Sequence, residues 1–282
     1  RYVNNDKLTP AEAENLFVYN DLNYHQPTQI IKNIWNIKKI NDDFSIKYNK
    51  DIIVNIFSEK KEIIVKQKSN SGRAIFIGKK IDGWNIFFNA NKNNISNLNI
   101  PKNYLNLNGC LTFLDIEVIN INLNSKNSHC EDSINFIRVN GTVNNINITN
   151  SYLDALDIDF STVELNSVII KSAGNDCLDL SNGKYKISDI NIENCGDKGI
   201  SIGEKSETEI QNVLVNHSNI AIAAKDSSIV KINKSQIFNS AVCFSAYRKK
   251  QEFSGAKIEI NDTNCNKDNS YAQNGSKIIF NL

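Results

Sequence analysis

Asp157 and Asp179 lie 22 residues apart, each between two aliphatic residues, in Leu156-Asp157-Ile158 and Leu178-Asp179-Leu180. If both segments are strands stacked in register, the two carboxylates face the same way at a spacing of about 4.8 Å. Like charges that close do not both ionise freely, so one pKa rises. A protonated carboxyl beside an ionised one is the equipment of acid–base catalysis at a glycosidic bond. Asp154 and Asp176 precede the pair by three residues and are the alternative catalytic acids, with Asp132, Asp159 and Asp197 on the same line. Further along come Lys198, Glu204, Lys205, Lys225, Asp226, Tyr247, Lys249 and Lys250. Acids followed by bases suit an anionic or hydroxyl-rich polymer: Lys198, Lys225 and Lys249 would hold a sugar carboxylate, Asp159 and Glu204 would line the groove, and Tyr247 would stack on a sugar ring. Three other readings compete. An Asp at the start of a strand satisfies turn N–H groups, several carboxylates together bind Ca²⁺, and the cluster Arg248–Lys250 is a solvated loop.

The elements that position these residues form a ladder. Ile134, Leu156, Leu178, Ile200, Ile222 and Phe244 recur at a step of 22, and Phe136, Ile158, Leu180, Ile202, Ala224 and Ala246 follow two residues later. The alternation has period two, so the repeat is a strand rather than a helix, and a repeat of this length marks a β-solenoid. Both columns point inward. The column between them, Asn135, Asp157, Asp179, Ser201, Ala223 and Ser245, points outward. The small column Ser133, Ala155, Cys177, Gly199, Ala221 and Cys243 is expected to face outward too, as a groove floor. A second strand per repeat carries Val143, Leu165, Ile187, Ile210, Ile232 and Ile260, then Ile148, Ile170, Ile192, Val215, Ile237 and Cys265. Asn, Asp, Gly and Ser between strands suit turns. Gly109–Phe113 extends the ladder with one extra loop residue, and weaker β runs occur at Ile52–Phe57, Ile63–Val65, Ala74–Ile77 and Trp84–Phe88. Residues 247–254 interrupt the repeat and read as a loop above the sheet.

The expectation is an all-β chain: a parallel β-helix over residues 45–282, preceded by a capping segment over 1–44. Thr9-Pro10-Ala11-Glu12 opens a helix to about Val18, and Pro27 opens a second short one. Such a cap would cover the open end of the solenoid. A net charge of +1 gives no electrostatic case for nucleic acid or an anionic membrane, and no apolar run is long enough for a membrane span. The chain starts at Arg1 and has no Met, which reads as a processed product. Its six Cys form no CxxC, and its three His are scattered, so zinc is not expected. Cys177 and Cys243 share a column but sit three rungs apart, roughly 14 Å, too far for a bridge. The expectation is buried free thiols, which leave the compartment open.

The ladder from Gly109 to Cys265 resembles the right-handed parallel β-helix proteins of the pectate-lyase-like superfamily. More narrowly, Asp197-Lys198-Gly199-Ile200-Ser201-Ile202-Gly203-Glu204, Ala223-Ala224-Lys225-Asp226 and Ala246-Tyr247-Arg248-Lys249-Lys250 resemble bacterial parallel β-helix repeat proteins. The resemblance implies a right-handed coil and carbohydrate-directed work, with a secreted, periplasmic or cell-surface location. It spans lyases, hydrolases, epimerases and non-catalytic coats. The first functional expectation is a glycoside hydrolase acting on an acidic-sugar-containing bacterial or surface polysaccharide, needing no cofactor. The second is a polysaccharide lyase with Lys198 or Lys225 as base and Ca²⁺ on the acids. The third is a non-catalytic surface or adhesion protein. Open solenoid edges allow self-association.

Overall fold

The computed structural model describes residues 35–90, 107–273 and 275–281. They form a parallel β-solenoid of about nine turns. One wall is built from Gly109–Leu114, Asp132–Ile137, Asp154–Asp159, Leu178–Ser181 and Lys198–Gly203, continued by the second halves of Glu207–Lys225 and Ile229–Tyr247. We call it the site sheet. Each site strand turns a corner into a longer strand: Glu117–Lys126, Asn140–Ser151, Thr162–Ala173, Lys184–Cys195 and the first halves of the last two.

Register follows the 22-residue step. Ile134 pairs with Leu156, Leu156 with Leu178, Leu178 with Ile200, and on through Ile222 to Phe244. In the longer strands Val143, Leu165, Ile187, Ile210, Ile232 and Ile260 form one continuous column. These side chains are buried and make a single core running the length of the coil. Slipping one strand by a residue would turn its whole apolar set to water, so the stack is strongly specified. Stacked Asn pairs, such as Asn145 on Asn122 and Asn239 on Asn216, add side-chain hydrogen bonds between coils.

Two corners per coil turn on residues in the left-handed region, singly except at Glu204-Lys205 and Asp226-Ser227, where two follow one another. Asn127, Asn150, Ser172, Asn194, His217 and Asn239 precede the site strands; Asp115, Arg138, Phe160, Asn182, Glu204 and Asp226 follow them. Asn and Asp tolerate this conformation because their short polar side chains bond locally. The abundance of Asn at turns therefore has a conformational use.

Three expectations need correction. The solenoid is not parallel from residue 45. Phe44–Tyr48 pairs antiparallel with Ala74–Gly78, and Ile52–Phe57 pairs antiparallel with Glu62–Gln67; parallel pairing begins from those partners. Antiparallel strands need only short connections, so the chain folds back on itself at this end, where Phe44 packs edge-on against Trp84 at 5.4 Å. The expected helices starting at Thr9 and Pro27 lie outside the described residues.

The small column does not face outward. Ser133, Ala155, Cys177, Gly199, Ala221 and Cys243 are all buried. They sit at the corner where the strand starts, so the in–out alternation begins one residue later. At Gly199 a Cβ would lie 2.5 Å from the carbonyl oxygen of Ala221, which leaves no room for a side chain.

The cysteines are not free. Cys110–Cys130, Cys177–Cys195 and Cys243–Cys265 are disulfides, with Cα atoms 5.5, 5.6 and 6.4 Å apart. Each bridges the two ends of one coil. Reading cysteines along a column compares neighbouring rungs; it overlooks that a coil brings its own ends together.

Candidate functional site on the acid-rich face

Asp157 and Asp179 are register partners on adjacent parallel strands, as expected. Both are partly exposed. The rest of their column is closed: Asn135 is 2% exposed, Ser201 and Ala223 are 0%, and Thr112 is buried one rung before Asn135. The outward column is thus a short window over two rungs rather than an open groove. Asn135 Nδ2 donates to Asp157 Oδ2 at 2.8 Å. Lys225 Nζ stands 3.9 Å from Asp179 Oδ1. Lys225 reaches it by lying over Gly203, where a Cβ would be 3.4 Å from its Cε. Four buried polar atoms in this column have no hydrogen-bond partner: Thr112 Oγ1, Asn135 Oδ1, Asp179 Oδ1 and Ser201 Oγ. Unmade hydrogen bonds of this kind are costly unless water or a ligand completes them.

The flanking column is different in character. Asp154 Oδ1 accepts from Asp176 N at 2.8 Å and from Asn175 Nδ2 at 2.7 Å. Asp176 Oδ1 in turn accepts from Lys198 N at 3.0 Å. Each carboxylate ties down the backbone of the next coil, which is the turn-satisfying role set out for these two residues. Lys198 Nζ is held by Asp197 and lies 3.4 Å from Asp176.

The third column brings Asp159, Ser181, Gly203, Lys225 and Tyr247 into one line. Glu204 sits at the corner beyond Gly203 and is ion-paired with Lys250. The side chain of Asp226 is buried and accepts from the N–H groups of Lys249 and Lys250 at 2.7 and 2.8 Å, which pins the start of the loop after Tyr247. Lys249 itself is exposed. The lysines expected to grip a sugar carboxylate are therefore largely engaged: Lys198 and Lys225 already have carboxylate partners. Sequence reasoning did not assign roles to Asp226 or Lys250, which depend on how the loop returns to the sheet.

Crowding shows in the acidities. Burial pushes Asp157 well up, and Asp132, Asp159, Asp179 and Asp154 push it further. Asp159 rises to about 6 through burial, Asp179 and Glu204, with Lys250 opposing. Asp154 also rises to about 6, mainly by burial, against the hydrogen bond from Asp176 N–H. Asp132 is raised by burial and then by Asp154 and Glu131. Burial lifts Asp176, with Lys198 pulling the other way. Burial lowers Lys198, but its bond to Asp197 and the charge of Asp176 outweigh it, so its pKa is raised. Tyr247 is raised by burial.

Among the described residues no group of three or more His, Cys, Asp or Glu converges to hold a metal ion. Cavities of about 380, 480 and 220 Å³ occur on the surface, lined by residues such as Ile169 and Leu214, Tyr152 and Gly174, and Lys231 and Asn261; none is lined by Asp157 or Asp179. Among the described residues no helix is long and apolar enough to cross a membrane. No protein-family profile, curated protein or solved structure matches the chain.

Proposed function

We propose that this protein is a glycoside hydrolase that works on a hydroxyl-rich glycan at the Asp157–Asp179 window. The observation that supports it best is the pair itself: two outward carboxylates on adjacent rungs, with Asp157 pushed toward the protonated form and Asp179 beside the Lys225 ammonium. Asp157 would be the acid and Asp179 its carboxyl partner. A rung spacing of about 4.8 Å matches the roughly 5–5.5 Å carboxyl separation of a retaining mechanism. Asp154 and Asp176, taken up with backbone hydrogen bonds, support the site from below it in the coil. Tyr247 and Lys249 remain candidates for glycan contact at the far end.

The resemblance to pectate-lyase-like β-helices rests on sequence motifs and supports the carbohydrate reading only at the level of fold. A lyase would need a free base; Lys198 and Lys225 both have carboxylate neighbours, which favours hydrolysis. Three disulfides fit an oxidising compartment, and we place the protein outside the cytosol. The deciding experiment is a reducing-end assay over a broad panel of bacterial and surface polysaccharides with wild type, Asp157→Asn and Asp179→Asn. Hydrolysis that disappears in both variants is expected. Hydrolysis that survives in both would reject the pair. Release of unsaturated, ultraviolet-absorbing products would instead indicate a lyase, and no product from any glycan would favour a binding or coat role.

A further inference from the structure

The corner after each site strand opens with a residue in the left-handed region, followed by a second such residue, Lys205 or Ser227, in two of the coils, and its occupants differ in how they tolerate it. Asp115, Arg138, Phe160, Asn182, Glu204 and Asp226 all have φ between 47° and 56°. Asn and Asp accept this region readily. Arg138 is anchored there by two bonds to Asp115, from Nε at 2.5 Å and from its terminal nitrogen at 2.9 Å. Glu204 is anchored by Lys250, and the Asp226 side chain by the loop N–H groups.

Phe160 has no such anchor. It is 54% exposed, and among the described residues its ring has no aromatic or cationic partner. Its backbone N–H bonds to Ser181 O at 3.0 Å like any rung of the coil. A single exposed aromatic residue on a surface needs no explanation. A bulky residue held at positive φ does, because the conformation is strained and more than half of the residue stays exposed. Every other occupant of this corner is polar. The exception falls on the coil that carries Asp157, one residue after Asp159.

We propose that Phe160 is a stacking platform at the rim of the site, receiving the apolar face of a pyranose ring next to the one cleaved. This rests on the carbohydrate reading above and extends it to a named subsite. An aromatic ring offers the C–H face of a sugar a large rigid surface, and at this corner much of the residue is open to solvent. The backbone strain is tolerated because the residue serves the ligand rather than the fold.

The test separates those two services. Phe160→Asn puts a residue suited to positive φ at the corner, so the melting temperature should rise by about 2–4 °C. Binding should weaken about tenfold for whichever of three pentasaccharides, of glucose, N-acetylglucosamine or galacturonic acid, the wild type binds best by calorimetry. Phe160→Trp should keep binding. The proposal is overturned if Phe160→Asn binds as tightly as wild type, if its melting temperature falls, or if none of the three binds wild type. Asp157→Asn, measured alongside, should lose hydrolysis but keep pentasaccharide binding. Hydrolysis lost in Asp157→Asn with an unchanged KM in Phe160→Asn would therefore reject the platform and leave the hydrolase reading standing.

Discussion

Two columns of the same coils treat charge in opposite ways. Beyond the corner, on the longer strands, Glu164, Lys186, Glu209, Lys231 and Glu259 follow one another on successive rungs. Every neighbour there has the opposite sign, with Lys186–Glu164 at 3.3 Å and Lys231–Glu209 at 3.8 Å. On the site sheet, Asp157 sits on Asp179, while Asp132, Asp154 and Asp176 step up the flanking column. Cross-strand pairs of opposite charge stabilise a sheet and like pairs destabilise it. The same backbone, at the same spacing, thus carries one surface arranged for stability and one that gives stability up. Proteins accept such a cost where a site needs it. The contrast is the reason to look for function on one wall and not the other.

The largest effect that would test this contrast is on turnover. Asp157→Asn or Asp179→Asn should lower kcat by roughly 10²–10⁴-fold while leaving the melting temperature equal or higher, because each removes a repulsion. A loss of stability with activity retained would make these aspartates structural and erase the difference between the walls. Lys225→Met should act next. Without its ammonium Asp179 loses its cationic neighbour at 3.9 Å, so kcat should fall by less than in the aspartate variants; an unchanged kcat would detach Lys225 from the pair.

The pH dependence of stability comes third. Asp154 and Asp159 have folded pKa values of about 6, above the ordinary carboxylate value of roughly 3.9. Between those values the folded state binds more protons than the unfolded one. Stability should therefore fall as pH rises from about 4 to about 6 and level off above it. Urea unfolding across that range checks the sign, and Asp159→Asn should flatten the slope. A stability that climbs with pH would show that the acids are not crowded as described. The smallest effect belongs to the other wall. Lys186→Glu places three glutamates in a row and should cost about 0.5–1 kcal/mol, screened by salt. A neutral result there would mean that the alternating ladder contributes nothing measurable.

Much of this was legible in the chain because a solenoid writes its geometry as a period. Leu156 over Leu178 and Asp157 over Asp179 follow from the 22-residue step alone. The step could not reveal the antiparallel end, where Phe44–Tyr48 and Ile52–Phe57 leave the repeat. It misplaced the small column because alternation does not say where a strand begins. It missed the disulfides because they join positions across one coil. Phe160 went unnoticed for a related reason: the corner residues also recur near every 22 positions, from Arg138 to Phe160 to Asn182, but a pattern of inside and outside says nothing about φ. Lys225 was recognised as a candidate, yet its partner Asp179 lies two rungs away in the neighbouring column, a fact of three dimensions.

The disulfides have a mechanical meaning beyond their contribution to folding. They recur three coils apart, with Ser133 and Ala155, then Gly199 and Ala221, filling the same inner corner between them. No bridge joins one coil to the next. Pulled by its two ends, the chain would peel coil by coil, but three closed loops would never enter the tether. With separations of 20, 18 and 22 residues, those loops withhold roughly 200 Å of contour. The solenoid is thus a spring with three rings tied off, and a reductant would lengthen its reach.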